Sequence, residues 1–211
     1  MRSINYALLM AVGLLLSGAH AAAGTDFLVT ANTASKDTDY EVIGREYSGE
    51  VDQVTVSSRF YLNDNYYLTG MYSSGDGKLE KTEFEMTEFS VGLGTVMLNR
   101  VNYRSGVGHE LRLGLNYVNA ERDFKASSRD AAWTDLHIGY TAGLGYGFSG
   151  FAEYKSNVEH LADNSHVLIG VNKHIAAGLM LRAGFEAEVV EYDDRVSSTM
   201  SGFQMGAGYA F

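Results

Sequence analysis

The last nine residues of the chain alternate strictly between two kinds of side chain. The apolar or aromatic members are Phe203, Met205, Ala207, Tyr209 and Phe211, and the residues between them are small or polar. Side chains two apart share one face of a strand, so the pattern predicts a strand with one apolar-aromatic face and one small-polar face. Such a strand at the end of a soluble protein would be an edge prone to aggregation. In a closed barrel surrounded by lipid the same pattern is favourable.

The first residues have the pattern of a secretory signal peptide. A short basic start at Arg2 precedes an apolar run from Ala7 to Leu16, and small residues follow, with A-x-A-like cleavage options after Ala21 or Ala23. The apolar run is about half as long as the roughly 20 residues that a spanning helix needs. We therefore expect residues 1–23 to be a cleaved signal peptide and residues 24–211 to form a single domain.

The composition supports an exported β protein. The chain has no Cys and no Pro but contains 24 Gly, 14 Tyr and 10 Phe, so disulfides cannot stabilise it and no Pro interrupts its strand ladders. The net charge of −10 argues against nucleic acid as a partner. No cofactor or metal site is predicted.

Period-two alternation recurs along the whole mature region. Nine clear segments follow residue 50, at about 51–62, 66–73, 84–98, 108–118, 133–148, 151–158, 166–175 and 179–192 and in the last strand. If both termini lie in the periplasm the number of strands is even, so the weak segment at 25–33 is taken as the first strand. This predicts ten strands, with eight as the alternative.

The predicted connections alternate in length. Those at 63–65, 149–150 and 176–178 are short, with the one at 99–106 somewhat longer, whereas those near 74–83, 119–132, 159–165 and 193–198 are mostly longer and more charged. Short periplasmic turns opposite longer extracellular loops are typical of outer-membrane barrels.

The signal peptide, the alternating strands and the terminal Phe211, with Tyr209 two residues before it, resemble small bacterial outer-membrane β-barrel proteins of the OmpA transmembrane-domain and OmpX type. The resemblance implies an all-β, single antiparallel up-and-down transmembrane barrel located in the bacterial outer membrane. It also implies contact with outer-membrane lipid and lipopolysaccharide, and recognition of the last strand by the barrel assembly machinery through Tyr209 and Phe211. We expect a monomer.

Polar side chains on the opposite strand faces are predicted to face the lumen. They are Arg59, Glu88, Glu110, Arg112, Asp135, His137, Glu153, Lys155, His174, Arg182, Glu186 and Glu188. A barrel of this size is barely wide enough for its own side chains, and both signs of charge are present. The prediction is a plug of ion pairs and hydrogen bonds; a narrow aqueous path lined by the same groups is the alternative.

The segment Tyr154 to Asn157 is similar to the His-x-Ser-Asn segment of outer-membrane lipid A deacylases, but Tyr154 stands where that family has its catalytic His. Ser156 then has no adjacent base, and His160 and His166 are interpreted as solvated loop residues. Trp133 and Tyr192, with Tyr140, Tyr146, Tyr209 and Phe211, are assigned to interfacial aromatic girdles.

The predicted function is a non-catalytic outer-membrane barrel with a structural or surface-interaction role, in which basic loop side chains could contact lipid phosphates. A narrow porin-like channel for small polar solutes is the alternative, and a lipid-modifying or proteolytic enzyme is a third hypothesis.

Overall fold

The computed structural model describes residues 27–98, 101–102, 107–124, 127–159, 164–176, 178–193 and 196–210. The predicted signal peptide, His160 and Phe211 lie outside the described residues. Within these ranges no helix is long and apolar enough to cross a membrane.

Ten antiparallel strands form one closed barrel. Each strand pairs with its sequence neighbours, and β1 pairs with β10 to close the sheet. The strands are β1 (Phe27–Val42), β2 (Arg45–Tyr61), β3 (Tyr66–Leu79), β4 (Thr82–Val96), β5 (His109–Phe124), β6 (Ser127–Gly145), β7 (Phe148–Asn157), β8 (Ser165–Ala176), β9 (Leu179–Asp193) and β10 (Val196–Ala210). The prediction of an all-β, ten-stranded, up-and-down barrel is confirmed, and the eight-stranded alternative is wrong.

The predicted connections at 63–65, 159–165 and 176–178 are confirmed to within two residues, whereas several of the others are wrong. β3 and β4 continue through most of the predicted loop at 74–83, leaving a two-residue connection at 80–81, and β5 and β6 cover most of 119–132. The turn assigned to 149–150 lies instead at 146–147. The longest connection runs from 97 to 108, at the end of the barrel that carries Phe27 and Ala210. We call this the terminal end, and the opposite end the distal end.

The segments mistaken for loops are strands in which the alternation changes phase. On the terminal half of β1, Thr30 and Asn32 face the interior and are buried. On its distal half Thr38 and Tyr40 are buried in the interior, whereas Asp37 and Asp39 are exposed on the outside. The terminal half of the barrel is therefore apolar outside, with polar side chains in the middle of the interior, whereas towards the distal end the outside is charged and aromatic side chains pack inside.

An apolar belt surrounds the terminal half of the barrel. Its most exposed large side chains include Phe203 (76% exposed), Met205 (69%) and Leu93 (63%). Further members are Leu68, Tyr72, Val91, Leu115, Tyr117, Ile138, Tyr140, Ile169, Val171, Leu181 and Phe185. On β10 the described part of the belt runs from Phe203 to Tyr209, which is somewhat shorter than the roughly 9–11 residues with which a tilted strand spans a bilayer.

Two apolar clusters fill the interior, one towards each end. The distal cluster consists of Tyr40, Tyr47, Val51, Leu79, Phe84, Met86, Phe124, Val196 and Met200. The terminal cluster consists of Leu28, Tyr61, Tyr67, Val96, Val101, Met180 and Ala210. In the terminal cluster the Tyr67 ring lies against Gly94 and Gly114, where a Cβ atom would approach its hydroxyl to 2.4 and 2.8 Å. The polar interior lies between these two clusters.

Candidate functional site

The middle of the barrel contains inward-facing charges of both signs. The cations are Lys36, Arg59, Arg112, Arg122, Lys155 and Arg182, and the carboxylates are Glu88, Glu110, Asp135, Glu153, Glu186 and Glu188. Since alternate residues of neighbouring strands share this face, the strand register decides which charges meet.

Arg112 is the centre of the ion-pair group nearer the terminal end. Its guanidinium is 1% exposed and pairs with Glu110 on its own strand, and it donates to Thr141 at 3.1 Å and to Glu153 at 3.2 Å. Tyr61 donates a hydrogen bond to Glu110 at 2.8 Å. Glu110 and Glu153 each have at least two donor or cationic partners, which offsets the cost of burying their charge.

Glu153 is shared among three strands. Besides Arg112 it contacts Arg59 on β2 at 3.5 Å, and its second oxygen lies 3.8 Å from His137 Nε2 on β6. Arg182 is a further inward-facing cation, and its guanidinium carbon stacks over the Phe151 ring, 3.7 Å from the ring centroid.

A second ion-pair group lies towards the distal cluster. Lys36, which is fully buried, contacts Glu186 at 3.1 Å and Glu188 at 3.9 Å. Arg122, also fully buried, contacts Glu88 at 3.8 Å and Glu188 at 3.6 Å. These contacts join β1, β4, β5 and β9 across the interior.

Asp135 on β6 and His166 on β8 both line the second cavity, so the prediction that His166 is a solvated loop residue is wrong. Asp135 accepts a hydrogen bond from the Trp133 indole at 2.6 Å, and His166 Nε2 lies 2.7 Å from Glu186. Trp133 therefore faces the interior and does not belong to a lipid-facing girdle as predicted. Tyr192 packs against the distal cluster, so its assignment to a lipid-facing girdle is also wrong. Tyr140, Tyr146 and Tyr209 are exposed on the outside.

The space left between the two apolar clusters is small. A central cavity has a volume of about 80 Å³, and a second cavity beneath the distal cluster has about 30 Å³. A water molecule needs roughly 10–15 Å³ of such volume. The interior thus has room for a few water molecules or small ions.

The described residues do not assemble a recognisable catalytic or metal centre. Tyr154 points outwards, 40% exposed, and Ser156 is fully buried. Sequence reasoning missed a Ser149–His174 hydrogen bond of 2.9 Å, which joins β7 to β8. Ser149 is fully buried and also accepts from Asn172 at 3.2 Å, so substrate cannot reach its hydroxyl and the pair is structural. Among the described residues no group of His, Cys, Asp and Glu could hold a metal ion.

The outer surface of the distal half is acidic. Asp52, Asp76, Glu85 and Asp123 lie directly opposite one another on the four neighbouring strands β2 to β5, and we call them the acidic row. Further exposed carboxylates surround them: Asp37, Asp39, Glu41, Glu46, Glu50, Glu83, Glu121 and Asp130. The charged segments assigned to loops are thus a sheet surface dominated by carboxylates.

Comparison with known proteins does not identify a family for this chain. No family model matches the sequence, and no curated protein matches it. Among solved structures, Neisserial surface protein A is 16% identical, with 90% of this chain and 100% of that chain covered and a TM-score of 0.46. The translocator domain of the autotransporter NalP from Neisseria meningitidis is also 16% identical, with coverages of 100% and 98% and a TM-score of 0.46. The attachment invasion locus protein Ail of Yersinia pestis is 15% identical, with coverages of 87% and 98% and a TM-score of 0.39.

The geometry of the chain itself assigns its class. Only a closed sheet satisfies every strand hydrogen bond in lipid, and an apolar belt around a polar, ion-paired interior is the arrangement of a membrane-spanning barrel. The chain is therefore a small β-barrel of the outer-membrane type.

Proposed function

We propose that this barrel is a non-catalytic integral protein of the bacterial outer membrane with a structural or surface-interaction role. The observation that carries the proposal is the closed interior, in which ion pairs fill the middle and an apolar cluster lies towards each end. A passing ion would have to break paired charges and cross two apolar layers. This arrangement favours a plugged barrel over a porin-like channel.

The surface role rests on the distal half of the barrel. Its inner face is held by packed aromatic rings, with Tyr40 5.3 Å and Tyr47 4.8 Å from Phe124 between ring centroids. The sheet that projects beyond the apolar belt is therefore well packed and presents carboxylates outwards. Carboxylates repel bare phosphates, so this face would contact lipopolysaccharide only through divalent cations, or would contact a positively charged partner, and it would not bind nucleic acid.

The remaining partners in this proposal follow from the outer surface and the last strand. Outer-membrane lipid would surround the apolar belt of a monomer, and the barrel assembly machinery would recognise β10 through Tyr209 and Phe211. Replacing Phe211 by Ala should reduce insertion into the outer membrane of expressing cells. Unchanged insertion would show that recognition does not depend on this residue.

Conductance of the refolded mature protein in a planar lipid bilayer tests the closed interior. A folded barrel, verified by the mobility shift on heating before electrophoresis, should give no stable current steps. Arg182→Ala and Glu186→Ala should lower stability without producing current. Reproducible steps whose ion selectivity changes in these two variants would refute the plugged barrel in favour of the channel.

A further inference from the structure

Three basic side chains form a row across the wall of the central cavity. Lys155 on β7 lies directly opposite His137 on β6 and His166 on β8. All three line the cavity, and we call them the basic row. Directly opposed residues of neighbouring antiparallel strands have Cβ atoms about 4.5–5.5 Å apart, so one small ligand can contact more than one of them.

The basic row has donors without acceptors. His137 is 4% exposed, and neither of its ring nitrogens has a hydrogen-bond partner; the same holds for Nδ1 of His166. Lys155 Nζ lies 3.8 Å from the sulfur of Met71, and no carboxylate of the described residues is within ion-pair distance of it. An ammonium carries three donors and even a neutral imidazole carries one. Leaving such donors buried and unsatisfied is unfavourable.

The carboxylates that line the same cavity already have cationic partners. Glu153 is held by Arg59 and Arg112, and Glu186 by Lys36 at 3.1 Å and by His166 Nε2 at 2.7 Å. Asp135 and Glu88 line the adjoining second cavity together with Lys155, but no carboxylate of the described residues lies within 4 Å of its ammonium, and the imidazole groups beside it can donate. An anion can accept from all three groups of the basic row at once, whereas a water molecule has only two lone pairs.

We propose that the central cavity binds one small inorganic anion of halide size at the basic row. The volume of about 80 Å³ accommodates such an ion with a few water molecules and is too small for an organic solute of the size that porins pass. Apolar clusters towards both ends slow exchange, so the anion enters during folding. This inference goes beyond the proposed function, because a barrel can be electrically silent with or without a bound anion.

Anomalous diffraction from crystals of protein refolded and crystallised in sodium bromide tests the site directly. The expected result is a bromine peak in the cavity within contact distance of Lys155 and of His137 or His166. The peak should be absent from Lys155→Met, or from Lys155→Gln if the first variant does not fold, and should persist in Lys81→Met, whose side chain is exposed in a turn. Water at this position in the wild-type protein would overturn the proposal.

A stability measurement gives an independent readout. Bromide is varied while gluconate keeps the ionic strength constant. If the wild-type protein has one site, each tenfold increase in bromide concentration shifts its unfolding equilibrium towards the folded state by up to about tenfold. The Lys155 variant should show no such dependence. An equal bromide dependence in both proteins, or none in the wild type, would overturn the proposal. A current in the bilayer experiment would instead bear on the closed interior alone.

Discussion

Replacing Arg112 by Met should be among the most destabilising single changes in the barrel. The guanidinium is 1% exposed and pairs with Glu110 and Glu153, and removing one partner of a buried ion pair costs about 3–5 kcal/mol. The remaining contacts reduce this cost, because Glu153 keeps Arg59 at 3.5 Å and Glu110 keeps the Tyr61 hydroxyl at 2.8 Å. We therefore expect the free energy of unfolding to fall by about 3 kcal/mol, at the lower end of the range.

A double-mutant cycle separates the ion pair from the packing of the Arg112 side chain. Glu110→Gln alone should cost less than Arg112→Met, since Arg112 retains Glu153 and Thr141. The free-energy cost of the double variant should be about 2 kcal/mol less than the sum of the two single costs, which is within the range for residues in direct contact. The assay is urea unfolding of the refolded protein in detergent micelles, followed by the fluorescence of Trp133, the single tryptophan.

The control is Lys81→Met, which changes the same charge at an exposed turn and should alter stability by less than about 0.5 kcal/mol. If Arg112→Met also cost less than about 1 kcal/mol, water would be solvating Glu110 in the variant. The interior would then be hydrated enough to refute the description of the ion pairs as a plug.

Three further changes test other parts of the barrel with the same unfolding assay. Gly94→Ala should cost about 1–3 kcal/mol, because its Cβ would lie 2.4 Å from the Tyr67 hydroxyl. The control Gly70→Ala should be close to neutral, since no atom lies nearer than 3.5 Å to its Cβ. Equal effects of the two variants would contradict the packing of Tyr67. Phe124→Ala should cost about 3–5 kcal/mol, since the ring is 5% exposed in the distal cluster. A cost below about 1 kcal/mol would mean that this cluster is loosely packed. Asp76→Asn should stabilise the protein by about 0.2–1 kcal/mol at low salt by relieving like-charge opposition. That gain should disappear near 1 M salt, and a gain independent of salt would show that repulsion is not its cause.

The strand pattern could be predicted from the sequence because alternation is a local property. Segments such as 108–118 indicate both a strand and its two faces without reference to any other strand. Even the weak first segment could be assigned, since the number of strands had to be even. These arguments use only the period of a strand and the position of the chain ends.

The contacts of the interior could not be predicted in the same way, because they depend on register between strands. Alternation assigns Lys155 to a face but does not say that it lies opposite both His137 and His166. The pairing of Lys36 on β1 with Glu186 on β9 similarly requires the closed barrel, since 150 positions of sequence separate them. The Ser149–His174 pair was missed because residue 149 was assigned to a turn.

The error in the connections has a single physical cause, the change of solvent along each strand. In lipid the outward positions must be apolar, and beyond the lipid they must be polar while the interior becomes apolar. On β5 the outward residues accordingly change from Leu115 and Tyr117 to Glu121 and Asp123, while Phe124 turns inwards to the distal cluster. When only strands with apolar outward residues are sought, a strand whose outward residues change from apolar to polar looks as if it ends in a loop. The position of the reversal marks where the strand leaves the membrane, so a search for both phases would find the projecting sheet and the edge of the apolar belt together.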